Sequence, residues 1–285
     1  MSEVPEVPAR VDSVTRLVEV GPHRIEATVF GSGAPAVVIE PGFGGTAASW
    51  RAVAEAVAED TTVVTYDRAP YGASSRARDA RTPRDIARDL KGVLDALGIA
   101  GPVILAAHSA GGLYVRMFAR LYDDRVAGLV LVDSSHEAGW QVLNPELPWW
   151  VRAFIRLENP MIVVSTRKAR CGADRRSMIR ENRAFYRVTA SDKPLAAGGL
   201  GDRPLIVITA GPGKIIKGRL WQMFHDLHAE LAGLSSNRRH IVASHPNHHV
   251  HKKDPDLVIA AIREVVHSAR THTPLAAPAD AGQDL

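Results

Sequence analysis

The sequence predicts an α/β fold, a mostly parallel sheet flanked by helices with an inserted helical cap, and three observations predict it. Between residues 36 and 133, short apolar runs alternate with amphipathic segments at helical spacing, the pattern of right-handed βαβ units. The apolar runs are continuous, as in VILAA at 103–107, which suits strands covered on both faces. The alternation stops at Ser134 and resumes at Leu205, so the stretch between reads as an insertion.

In chain order, residues 1–13 read as a loose arm. Residues 17–20 and 25–30 form a hairpin across Gly21-Pro22, and 36–40 the first buried strand, ending in Pro41-Gly42-Phe43-Gly44-Gly45. A helix from Thr46 carries Trp50, Val53 and Val57 on one face, and strand 62–66 ends at Asp67-Arg68. Thr82, Pro83 and Asp85 announce the next helix as N-cap, first helical residue and capping-box acid. Strand 127–132 ends at Asp133. Strand 205–209, helix 219–234, strand 239–242 and a closing helix 255–270 complete the chain. The organisation expected is a core of 1–134 and 201–270, a cap of 135–200, and a disordered tail of 271–285.

With 46% hydrophobic and 23% charged residues among 285, the composition is that of a soluble globular protein. A single cysteine, Cys171, excludes an internal disulfide and fits a cytoplasmic setting. The first residues lack the basic-then-apolar run of a secretory signal, and no run approaches the ~18 apolar residues of a membrane span. Net charge is +4, but eleven Lys or Arg against four acids fall between residues 152 and 193. Without a nucleic-acid module or interleaved aromatics, that run reads as a solvated face, or as a surface for an anionic substrate or an acidic carrier partner. No nucleic acid is expected as a partner.

Strand 103–107 passes into a helix through Ala107-His108-Ser109-Ala110-Gly111. Such a turn holds the Ser109 hydroxyl clear of the sheet at a helix N-terminus, whose free N–H groups favour an oxyanion. Strand and helix backbones nearly touch there, which explains the small Ala107 and Gly111. A serine nucleophile needs a base and a carboxylate to orient it. The base is expected in the loop after the last strand, where His245, His248, His249 and His251 all stand. No Asp, Glu or Cys pattern accompanies these four, so no metal ligand set is assigned, and no cofactor is expected. Gly42, Gly44 and Ala47 with Asp67 imitate a dinucleotide fingerprint, but Pro41 and the preceding hairpin give it the wrong lead-in.

The Ser109 turn resembles the nucleophile elbow of the α/β-hydrolase fold, and the likeness runs from about residue 17 to residue 270. The resemblance singles out His248, followed by Val250 and by Pro255 opening the last helix, with His245 as the next choice. It implies oxyanion-hole N–H groups from Phe43 and Ala110. The usual position of the acid, after strand 205–209, holds Ala210-Gly211-Pro212-Gly213-Lys214. Some members take the acid from the strand before the cap, which selects Asp133, with Asp226 or no acid as alternatives. Tyr66-Asp67-Arg68 and Tyr71-Gly72 match a family signature read as structural. The activity implied is acyl transfer through a serine on an ester or thioester, with Trp149 and Trp150 of the cap suggesting a hydrophobic group in a small-molecule substrate. A non-hydrolytic role as cyclase, lyase or binding protein is the alternative.

Overall fold

The computed structural model describes residues 12–77, 81–146, 181, 184, 197–214 and 216–276. Eight strands, β1 (Ser13–Val20), β2 (His23–Phe30), β3 (Ala36–Glu40), β4 (Val63–Tyr66), β5 (Val103–His108), β6 (Val126–Val132), β7 (Leu205–Thr209) and β8 (Arg238–Val242), form one sheet in the order 1-2-4-3-5-6-7-8. β1 and β2 are an antiparallel hairpin, β2 joins β4 antiparallel, and every later pairing is parallel.

Period-two alternation splits each parallel strand between two cores. Val38, Leu105, Leu131 and Val207 face α2 (Pro83–Ala96), α3 (Ala110–Leu121) and α5 (Gly218–Ala232). Val37, Ile104, Val130 and Ile206 face α1 (Arg51–Val57) and α7 (Pro255–Thr271). Both faces being covered is why these strands carry no polar alternation. Burying each such side chain stabilises the fold by about 1.5–3 kcal/mol relative to exposure.

The predicted helix start at Thr82 is present as a full capping box. Asp85 N donates to Thr82 Oγ1 at 3.2 Å, and Thr82 N donates to Asp85 Oδ2 at 3.1 Å. Between β6 and β7, the described elements are α4 (Gly139–Leu143) and a 3-10 turn, Asn144–Glu146. Trp149, Trp150, Cys171 and all of the basic run except Glu181 and Ala184 lie outside the described residues. Beyond α7, Leu275 is buried and its N–H donates to Asn237 Oδ1 at 2.8 Å, so the chain is held to the core past the helix end. The remaining short helix, α6 (Val250–Lys253), links the histidine loop to α7.

Candidate active site

The carboxyl ends of the parallel strands carry two residues forced into positive φ without being glycine. Ser109, after β5, has φ 53° and Asp133, after β6, has φ 42°. Such backbone costs of order 1–3 kcal/mol and persists where the surroundings impose it. At Ser109 the imposing contact is Gly111, since a Cβ there would stand 2.5 Å from Glu40 O and 2.9 Å from Pro41 O. Only a glycine lets the first turn of α3 press against the end of β3. The loop after β3 returns the approach, because a Cβ on Gly42 would lie 3.0 Å from Ser109 Cβ. Ala110 opens α3, with its N–H among the free donors of the helix start. Phe43 packs on Ile86, Ala110, Leu113 and Tyr114.

His248 and Asp133 meet: Nδ1 of the ring stands 2.6 Å from Oδ2. An ionised carboxylate only accepts, so Nδ1 carries the proton and Nε2 is left as an acceptor. The acid is covered and the imidazole open, with side chains 11% and 45% exposed. Asp133 Oδ1 accepts from Ala210 N at 2.9 Å. Burial pushes the Asp133 carboxyl up, but the hydrogen bond and charge of His248, with His228 and the Ala210 N–H, outweigh it and hold the group below its ordinary value. The other candidates lie elsewhere. Asp226 sits on α5, accepting from Gln222 Nε2 at 2.8 Å, and His245 Nδ1 accepts from Asn247 N at 3.1 Å.

Three supports are not assigned from the sequence. His108 Nε2 stands 2.8 Å from the His248 carbonyl, which can only accept, so the ring donates and ties the histidine loop to the serine turn. His228 Nε2 likewise donates to Ser134 O at 2.8 Å. Its Nδ1 then accepts from Thr209 Oγ1 at 2.7 Å, whose oxygen takes His240 Nε2–H at 2.6 Å. This relay underlies the Asp133 turn. Glu181 is the third, fully buried against Arg68, Tyr71 and Tyr114. The one cue available was the Tyr66-Asp67-Arg68 and Tyr71 signature, whose phenols and guanidinium need buried acceptors.

Among the described residues, His108, His249 and His251 bring ring nitrogens within 4.8 Å of one another, the grouping that could hold a metal. The loop spacing alone does not reveal it, since His108 comes from β5. His108 spends Nε2 on the His248 carbonyl, and its Nδ1 lies 2.9 Å from where a Gly42 Cβ would be. His251 lies flat on Trp50, with centroids 4.3 Å apart. Burial and neighbouring cationic groups lower His249 to about 4 and His251 to about 3, and burial and adjacent histidines hold His108 well below its ordinary value. His108 and His251 are buried beside His248, while His249 is exposed. Asp67, which a dinucleotide site would use on a ribose, accepts instead from Ala47 N at 2.7 Å.

A sheet of this order, a strained serine at the β5–α3 turn and a carboxylate-bound histidine after β8 are the arrangement of the α/β-hydrolase fold. Residues 35–160 match the model of the alpha/beta hydrolase fold family, and the sheet and its flanking helices are those of the α/β-hydrolase fold. It is 25% identical over 235 residues to the uncharacterized protein YqjL of Bacillus subtilis, covering 82% of this chain and 85% of the relative. A thermophilic esterase from Thermogutta terrifontis superimposes with a TM-score of 0.64 at 21% identity, over 90% of this chain and 99% of its own. The enol-lactonase of Burkholderia xenovorans gives 0.67 at 18% identity, over 89% and 100%. Among the described residues, no helix is long and apolar enough to cross a membrane.

Proposed function

We propose that the chain is a serine hydrolase working through an acyl-enzyme on an ester or thioester with a hydrophobic group. The observation that carries this reading is the 2.6 Å bond between His248 and Asp133 beside the strained Ser109 turn. His248 Nε2 takes the Ser109 proton as Oγ bonds to the carbonyl carbon, and the N–H groups of Phe43 and Ala110 receive the oxyanion. The imidazolium, steadied by Asp133, passes its proton to the departing alcohol or thiol. Water then attacks the acyl-enzyme, gives a proton to His248, and Ser109 recovers it as the acid leaves. The names of two structural neighbours, an esterase and a lactonase, are consistent with acyl chemistry. Trp149 and Trp150 are proposed to line the acyl or alcohol pocket.

The test is intact-mass spectrometry after a fluorophosphonate probe on wild type and Ser109→Ala. One adduct on wild type and none on the variant supports an activated serine. Equal labelling of both, or no labelling at all, rejects it.

A further inference from the structure

Gly42 and Phe43 share one peptide plane, so whatever holds the Gly42 carbonyl also aims the Phe43 N–H. That carbonyl accepts from Arg68 Nη2 at 3.0 Å and from Gly45 N at 3.0 Å, while Arg68 Nη1 bonds Pro41 O at 2.7 Å. The guanidinium is clamped between Glu40 and Glu181, all three side chains being buried. Glu40 belongs to β3, but Glu181 comes from the long segment between β6 and β7. Its Oε1 accepts from Arg68 Nη2 at 3.1 Å and Tyr114 OH at 3.0 Å, and its Oε2 from Tyr71 OH at 2.8 Å. The Tyr71 oxygen in turn accepts from Gly44 N at 3.3 Å, and Phe43 packs against the cluster to which Tyr114 belongs. One carboxylate thus reaches both sides of residue 43, the carbonyl before it through Arg68 and the N–H after it through Tyr71.

A buried carboxylate among one guanidinium and two phenols is weak as a stability device, since apolar replacements of such networks are often neutral or better. What it supplies is direction, because three bonds fix where Arg68 and Tyr71 point. We propose that Glu181 is a positioning residue for the oxyanion-hole peptide, aiming the Phe43 N–H through its bonds to Arg68 and Tyr71. This rests on the serine-hydrolase reading above and adds a dependence of catalysis on the Glu181 carboxylate.

The experiment compares wild type, Glu181→Gln, Arg68→Lys and the double variant on a short p-nitrophenyl ester. Reactive serines are counted by fluorophosphonate so that kcat refers to competent sites. Loss of a whole oxyanion donor costs about 10²–10³-fold, and a mis-aimed one is expected to cost about 10-fold or more in kcat with KM within about twofold. Affinity for a boronic acid, which mimics the tetrahedral oxyanion, is expected to fall by the same factor. The double variant should be no worse than the poorer single one, as for residues acting through one peptide. A Glu181→Gln kcat per reactive serine within about twofold of wild type overturns the proposal, as does a change confined to KM.

Should Glu181→Gln fail to fold, Tyr71→Phe keeps the Arg68–Glu181 pair and removes only the hydroxyl between Glu181 and Gly44. It is expected to show the same split to a smaller degree, and a wild-type kcat there also overturns the proposal. A wild type that neither labels nor turns over the ester defeats the hydrolase reading and this inference together. An active wild type with an equally active variant defeats this inference alone.

Discussion

His248 Nδ1 and Asp133 Oδ2 lie 2.6 Å apart although they come from the loop after β8 and the end of β6. Replacing Asp133 with Asn turns the acceptor into a partial donor and favours the wrong imidazole tautomer. Asp133→Asn is expected to fold and to lose about 10²–10⁴-fold in kcat. Steady-state hydrolysis and the rate of fluorophosphonate labelling both check it, and unchanged rates would reject Asp133 as the acid proposed to orient His248.

Close approach at the serine turn makes Gly111 intolerant of any side chain. Gly111→Ala places a methyl group against the carbonyls of Glu40 and Pro41, and is expected to destabilise by about 1–3 kcal/mol. Gly139→Ala, with nothing within 4 Å of the new carbon, should stay within about 0.5 kcal/mol of wild type. Urea denaturation of the pair separates the contact from a general effect of losing glycine.

Acid should weaken the fold through its buried and half-buried neutral histidines. Burial lowers His251 to about 3 and His240 to about 4, so the unfolded chain, whose histidines titrate near about 6.5, binds more protons below that pH. Their contribution is therefore complete above about pH 6.5 and declines as pH falls towards the folded values, by up to about 1.4 kcal/mol per unit for each group. His251→Phe keeps a ring on Trp50 and removes one of these groups. Urea midpoints from pH 7 to pH 4 are expected to fall less steeply for that variant, and parallel slopes would count against a neutral His251.

Chain-length selectivity tests the two tryptophans. Trp149→Ala and Trp150→Ala are expected to lower kcat/KM for long acyl esters about 10-fold while leaving short ones near wild type. Equal losses on both would mean that neither ring lines the acyl pocket.

Local signals made most of the framework legible in the sequence. Continuous runs such as VILAA at 103–107 declare doubly covered strands, Thr82-Pro83 with Asp85 declares a helix start, and the small residues around Ser109 declare a tight turn. Boundaries moved where pairing extends a strand beyond its apolar centre. β1 begins at Ser13 rather than at residue 17, because its outer residues are exposed but still bonded to β2, and β5 includes His108 because it pairs with Val132.

The sequence by itself determined the α/β class, the serine turn and a short set of candidates for base and acid, because each is written in neighbouring residues whose spacing obeys helix and strand periods. Only the tertiary structure decided which carboxylate meets His248, that His108 and His228 brace the two turns, and that Glu181 reaches the loop after β3 through Arg68 and Tyr71. The physical reason is range. A hydrogen bond acts over about 3 Å, and residues tens to more than a hundred positions apart come within that distance only when the parallel sheet brings its strand ends to one edge.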